Sequence, residues 1–184
     1  LRGTIEEAKK RLSALPASEQ SSDKKLFYGA VIRSCEAAIA FARRYSELAR
    51  SMADREKDPV RAAELREVAR VCARVPEHPA GSFHEAVQSM YFIHLISQIE
   101  SGGNSISLGR IDQVLFPYYR ADREAGRITP ERARELLSLL YIKTNEIWNV
   151  LEEAFIPGGE GTQGKTTQNV TVGGIGMDGE DATN

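Results

Sequence analysis

The stretch from Phe83 to about Ser101, FHEAVQSMYFIHLISQIES, constrains the fold more than any other part of the chain. Val87, Met90, Tyr91, Phe92, Ile93, Leu95, Ile96 and Ile99 recur at helical intervals yet occupy more than one face. A helix that is apolar on most sides has to be surrounded by protein, so the rest of the chain must pack around it. Ser82 and Glu85 have capping-box spacing and open it, after a connector from Pro76 to Gly81 that is too rich in proline to be helical. Burial makes its polar residues informative. His84 and His94 are ten positions apart, which at about 100° per residue puts them on different faces. They cannot share a metal ion, and each reads as a hydrogen-bonded structural histidine. Gln98 and Glu100 read either as support for a pocket or as a solvated last turn.

A short polar loop follows this helix. The Gly102-Gly103 pair lets the backbone turn freely before Asp112 can start another helix. Small polar residues between apolar flanks would suit the lining of a buried pocket, with Asn104, Ser105 and Ser107 as the candidates. A plain inter-helix connection accounts for the same residues equally well on local grounds.

Elsewhere the periodicity is also helical. Thr4 and Glu7 have capping-box spacing, and Ile5, Ala8, Leu12 and Leu15 predict a first helix from Thr4 to Leu15, ended by Pro16. A polar link from Ala17 to Ser22 leads to a long helix over Asp23 to Met52. Its expected apolar stripe is Phe27, Ala30, Val31, Ser34, Ala38, Phe41, Tyr45, Leu48 and Met52. Asp58-Pro59 is an N-cap and first-turn pair for a helix carrying Ala62, Leu65, Val68, Ala69, Cys72 and Val75. After the loop, Asp112 is expected to cap a helix with Val114, Leu115, Tyr118 and Tyr119, Pro117 being tolerable near its first turn and Gly126 marking its end. Thr129-Pro130-Glu131 opens another helix, whose face includes Ala133, Leu136, Leu137, Leu140, Tyr141, Thr144, Ile147, Trp148 and Leu151. Residues 1–156 are thus expected to be helical. Beyond them, Gly158 to Thr167 is a glycine-rich loop, Asn169 to Val172 alternates like a short strand, and Met177-Asp178-Gly179 reads as a turn. The fold class expected is mainly α with one or two short C-terminal strands.

Composition excludes several classes of partner. A net charge of −2 over 184 residues gives no electrostatic reason to bind nucleic acid or an anionic membrane. No apolar run approaches the roughly 20 residues that span a bilayer, so a cytoplasmic location is the default. Cys35 and Cys72 are too few for a disulfide framework and lack Cys-x-x-Cys spacing, so neither a zinc site nor a reactive thiolate is suggested. Gly159 to Thr166 fits the phosphate-binding pattern G-x-x-x-x-G-K-[ST] in every required position. Its context argues against nucleotide binding, because a helix precedes it and a strand-like segment follows, the reverse of what the phosphate loop needs.

Gln98-Ile99-Glu100-Ser101, Ser105-x-Ser107, Gly109-Arg110-x-Asp112-Gln113 and Pro117-Tyr118-Tyr119, with the later Gly173-Gly174 and Asp178-Gly179-x-Asp181-Ala182-x-Asn184, resemble the glycyl radical enzyme family. Phe27 to Ala49 and Val75-Pro76 through Ala86 resemble that family's helical region, in the pyruvate formate-lyase-like branch with glycerol and hydroxyproline dehydratases, choline lyase and aryl-acetate decarboxylases. The resemblance implies a ten-stranded α/β barrel with surrounding helices, of which this chain would supply mainly helices. It implies a glycyl radical installed by an S-adenosylmethionine-dependent iron–sulfur activating enzyme, a thiyl radical on a cysteine, and a small-molecule substrate; a homo-oligomer is compatible with it. The family's Gly-Cys-x-Glu and Arg-Val-x-Gly-Tyr motifs do not occur in this sequence. No catalytic residue is therefore expected here, and the chain reads as an internal fragment, inactive alone. A non-catalytic helical scaffold that binds a partner is the alternative.

The resemblance also bears on the loop. Where the glycerol dehydratase branch has Gly-His-Ser, this chain has Gly103-Asn104-Ser105. It implies Asn104 and Ser105 as substrate contacts and Ser107, Arg110 and Asp112 as residues that hold the loop. An amide both donates and accepts but cannot take up a proton near neutral pH, which weakens the case for glycerol itself.

Overall fold

A computed structural model describes residues 1–16, 22–101, 106–147 and 170–183. Six helices are present among them: α1 (Arg2–Ser13), α2 (Ser22–Arg55), α3 (Pro59–Arg74), α4 (Phe83–Ser101), α5 (Ile111–Glu124) and α6 (Pro130–Asn145). They fall into two compact units, residues 1–80 and 81–184. No described helix is long and apolar enough to cross a membrane.

In the first unit α2 packs against both α1 and α3. The buried face of α2 is Ala38, Ile39, Ala42, Ser46, Ala49 and Ala53. This corrects the expected stripe, of which Ala38 is buried while Phe27, Tyr45, Leu48 and Met52 are exposed. Both sets repeat every three or four residues, but the true one is displaced by about one position, or about 100° around the helix. The reason is size. Alanines and a serine let neighbouring backbones approach closely enough for Ser46 Oγ to donate to the Ala69 carbonyl of α3 at 2.7 Å. Against this face α3 sets Ala62, Leu65, Ala69, Val71 and Cys72. It starts where the Asp58 side chain accepts from Val60 N at 2.9 Å, with Pro59 in the first turn.

The first helix begins earlier than its expected capping box. Leu1 is its N-cap, with no side-chain cap, while Glu7 pairs with Arg11 one turn on. Tertiary contacts replace the cap: Leu1 N donates to the carbonyls of Pro76 and Glu77, and Arg2 N to the Glu77 carbonyl at 2.9 Å. The Glu77 carboxylate is buried and accepts from the guanidinium groups of Arg2 and Arg43. Burial of a carboxylate is tolerable only with such partners.

In the second unit α4 packs against α5 and α6. Ser82 Oγ accepts from Glu85 N at 3.2 Å, while the Glu85 carboxylate accepts from Gly81 N at 2.7 Å, one residue before the expected reciprocal donor. Phe83, Ala86, Val87, Phe92, His94 and Gln98 are buried, whereas Ile93 and Ile99 are exposed. Among the described residues α4 is therefore covered on part of its circumference. α5 runs through Pro117 in its middle and ends at Gly126, whose φ of +67° only glycine adopts cheaply. Arg127 N then donates to Asp122 O and Gly126 N to Arg123 O, which satisfies the last carbonyls. Thr129 Oγ1 accepts from Arg132 N to cap α6. Its buried face is Ala133, Leu136, Leu140 and Thr144; Trp148 and Leu151 lie outside the described residues.

The expected C-terminal strand reduces to isolated bridges. Thr171 pairs in parallel with Arg110, and Ile175 pairs antiparallel with Asp181 around the expected turn at Met177 to Gly179. Among the described residues there is no longer ladder, because Gly173 and Gly174, both with positive φ, interrupt extended backbone after Val172. Asn169, the glycine-rich segment 158–167 and the phosphate-loop pattern at 159–166 lie outside the described residues.

Candidate functional site

The entrance to α5 and the segment around Gly173 meet in one hydrogen-bonded cluster. Arg110 is the N-cap of α5, so Asp112 and Gln113 fall in the first turn; Asp112 does not cap the helix as expected. Its carboxylate instead accepts from Gly173 N at 2.6 Å. The Gly173 carbonyl sits in the fork of the Arg110 guanidinium, which donates from Nε at 3.1 Å and Nη2 at 2.8 Å, and accepts from Gln113 Nε2 at 3.1 Å. Arg110 Nη1 reaches on to the Ile175 carbonyl at 2.9 Å. The Gly173 amide holds the Asp112 carboxyl below the usual aspartate range, and the charge of Arg110 adds to the effect.

This cluster lies beside a cleft of about 360 Å³ whose walls include Phe83, Ile111, Leu115, Tyr119, Leu137 and Val172, with Asp112 and Arg134 as charged lining residues. Upstream, near the end of α4, is a second polar feature. His94 and Gln98 are buried one turn apart, with Gln98 Nε2 3.3 Å from His94 Nε2. The two side chains share one buried hydrogen bond, whose direction is set by the ring tautomer.

The structure places the expected site residues unequally. Asn104 and Ser105 lie outside the described residues. Ser107 is exposed, its Oγ accepting from Gly109 N at 3.0 Å. Arg110 and Asp112 converge on one residue, Gly173. Gln113 and Gly173 complete that cluster; the sequence marks them only as members of the Gly-Arg-x-Asp-Gln and Gly-Gly motifs. Cys72 is buried and its thiol is pushed up to about 11 by desolvation, so it is no ready nucleophile. Among the described residues no group of three histidine, cysteine or acidic side chains could hold a metal ion.

Comparison with known proteins assigns the scaffold. The family model described as pyruvate formate lyase-like matches residues 1–184. Isethionate sulfite-lyase of Oleidesulfovibrio alaskensis is 40% identical over 187 residues, covering 100% of this chain and 22% of that enzyme. A structure concerned with 1,2-propanediol dehydration in Roseburia inulinivorans superposes with a TM-score of 0.91 at 40% identity, covering 100% of this chain and 23% of the other. The glycerol-bound form of the B12-independent glycerol dehydratase from Clostridium butyricum gives 0.88 at 40% identity, with the same coverage. The chain spans about a fifth of the length of the relatives it matches, and it belongs to the pyruvate formate lyase-like family.

Proposed function

We propose that this chain is a segment of a glycyl radical lyase, a dehydratase or related C–O, C–N or C–C lyase acting on a small polar substrate. The observation that carries the reading is similarity along the whole chain to enzymes named as a sulfite-lyase and as dehydratases. In the whole enzyme these helices would surround a ten-stranded barrel, in the cytoplasm, and the loop at residues 102–109 would face the substrate. Asn104 and Ser105 would contact it, with Ser107, Arg110 and Asp112 holding the loop. A glycyl radical, installed by a separate S-adenosylmethionine-dependent iron–sulfur activating enzyme, would supply hydrogen-atom abstraction by way of a cysteine thiyl. This chain's own part is to choose, orient and keep dry what enters. A dry site with a few placed polar groups discriminates because an unpaired buried polar group costs about 1–3 kcal/mol. The isolated chain would be inactive.

The test is Asn104→His in the whole enzyme, with substrate profile and radical yield measured together. Substrate preference is expected to change while the radical signal in electron paramagnetic resonance is retained. An unchanged substrate profile would remove the loop from the pocket.

A further inference from the structure

Gly173 is held at both its N–H and its carbonyl by three residues at the start of α5. Its N–H goes to Asp112, and its carbonyl is filled by Arg110 and Gln113. The neighbours follow a pattern. Ile111 N donates to Thr171 O at 3.3 Å and Arg110 Nη1 to Ile175 O, so positions 171, 173 and 175 are all held by residues 110–113. Two of these three positions are held by side-chain donors alone, because Gly173 and Gly174 turn the backbone out of extended geometry. The two glycines are needed for the same contact. Gly173 and Gly174 have φ of +68° and +92°, and a Cβ at Gly174 would stand 3.2 Å from Arg110 Nη2.

We propose that Arg110, Asp112 and Gln113 form a positioning clamp that fastens segment 170–176 to residues 106–109 before α5, so that these two described segments hold their geometry together. Gln113 and Gly173 are thereby positioning residues for the substrate loop, a role that rests on the reading of that loop given above. No spacer separates clamp from loop: Gly109 precedes Arg110 and is itself held by Ser107 Oγ. The clamp also explains why the turn at Gly173 needs no long strand. Its backbone groups are satisfied by Arg110, Asp112 and Gln113.

The test uses Gln113→Met, which keeps the bulk of the side chain and removes the donor, in the whole enzyme. Amide hydrogen exchange is expected to rise in residues 106–113 and 170–176 together. KM is expected to rise about fivefold, the size of one net hydrogen bond, with kcat within about twofold and radical yield unchanged; Gln113→Lys, which restores an N–H donor, should recover most of the loss. Faster exchange confined to 170–176 overturns the clamp; coupled exchange with an unchanged KM overturns the positioning role for the substrate. Should Gln113→Met lose its helical signal in circular dichroism, Gly174→Ala is read by the same criteria, and unfolding of both variants counts against a positioning role. Coupled exchange with no effect of Asn104→His on the substrate profile would sink the substrate-loop reading and leave the clamp standing.

Discussion

The carboxylate of Asp122, on α5, accepts a 2.8 Å hydrogen bond from the backbone amide of Phe83, the first residue of α4. The start of the most apolar helix is thus satisfied by a side chain 39 residues away. Asp122 is itself buried and paired with Arg127, so the two helices and the turn after α5 meet at one carboxylate.

Removing that carboxylate should cost more than an ordinary surface cap. Asp122→Ala is expected to destabilise the fold by about 1–3 kcal/mol, since it strands the buried Phe83 N–H. Asp122→Asn, which keeps an acceptor, should cost less. Urea unfolding followed by circular dichroism decides it, and equal midpoints for wild type and Asp122→Ala would refute the assignment.

The rotated stripe on α2 makes an opposite pair of forecasts. Ala42→Leu or Ala49→Leu should destabilise by about 1–3 kcal/mol, because added methylenes would have to fit where α2 meets its neighbours. Leu48→Ala removes an exposed side chain and should fall within about 0.5 kcal/mol of wild type. Denaturant midpoints in the reverse order would restore the stripe through Phe27, Tyr45, Leu48 and Met52.

Acid should loosen both units through carboxylates whose folded-state pKa values are depressed. The Arg2 hydrogen bond chiefly lowers Glu77, with Arg43 adding to it, and the Gly173 amide chiefly lowers Asp112. A depressed folded pKa contributes stability above the unfolded values, about 4.3 for Glu and 3.9 for Asp, and that contribution is lost as pH falls through the folded value. Glu77→Gln should therefore be less stable than wild type at pH 7, by about 1–3 kcal/mol, and the gap should close toward pH 3. A series of denaturation curves from pH 7 to 3 checks this; a gap that stays constant would show that ionisation of Glu77 contributes nothing.

Much of the helical fold was legible in the sequence because the signals are local. Asp58 bonding Val60 N, Thr129 bonding Arg132 N and Gly126 closing α5 each act within a few residues, and the two proline-led starts did as expected. The Gly-Arg-x-Asp-Gln and Gly-Gly motifs were also enough to mark the family. Tertiary structure alone decided which of two equally periodic faces of α2 is buried, because the choice turns on how closely α1 and α3 can approach. It also decided that Asp122 caps α4 and that Asp112 holds Gly173 instead of capping α5. Those partners lie 39 and 61 residues away, and no local spacing rule carries information over such distances.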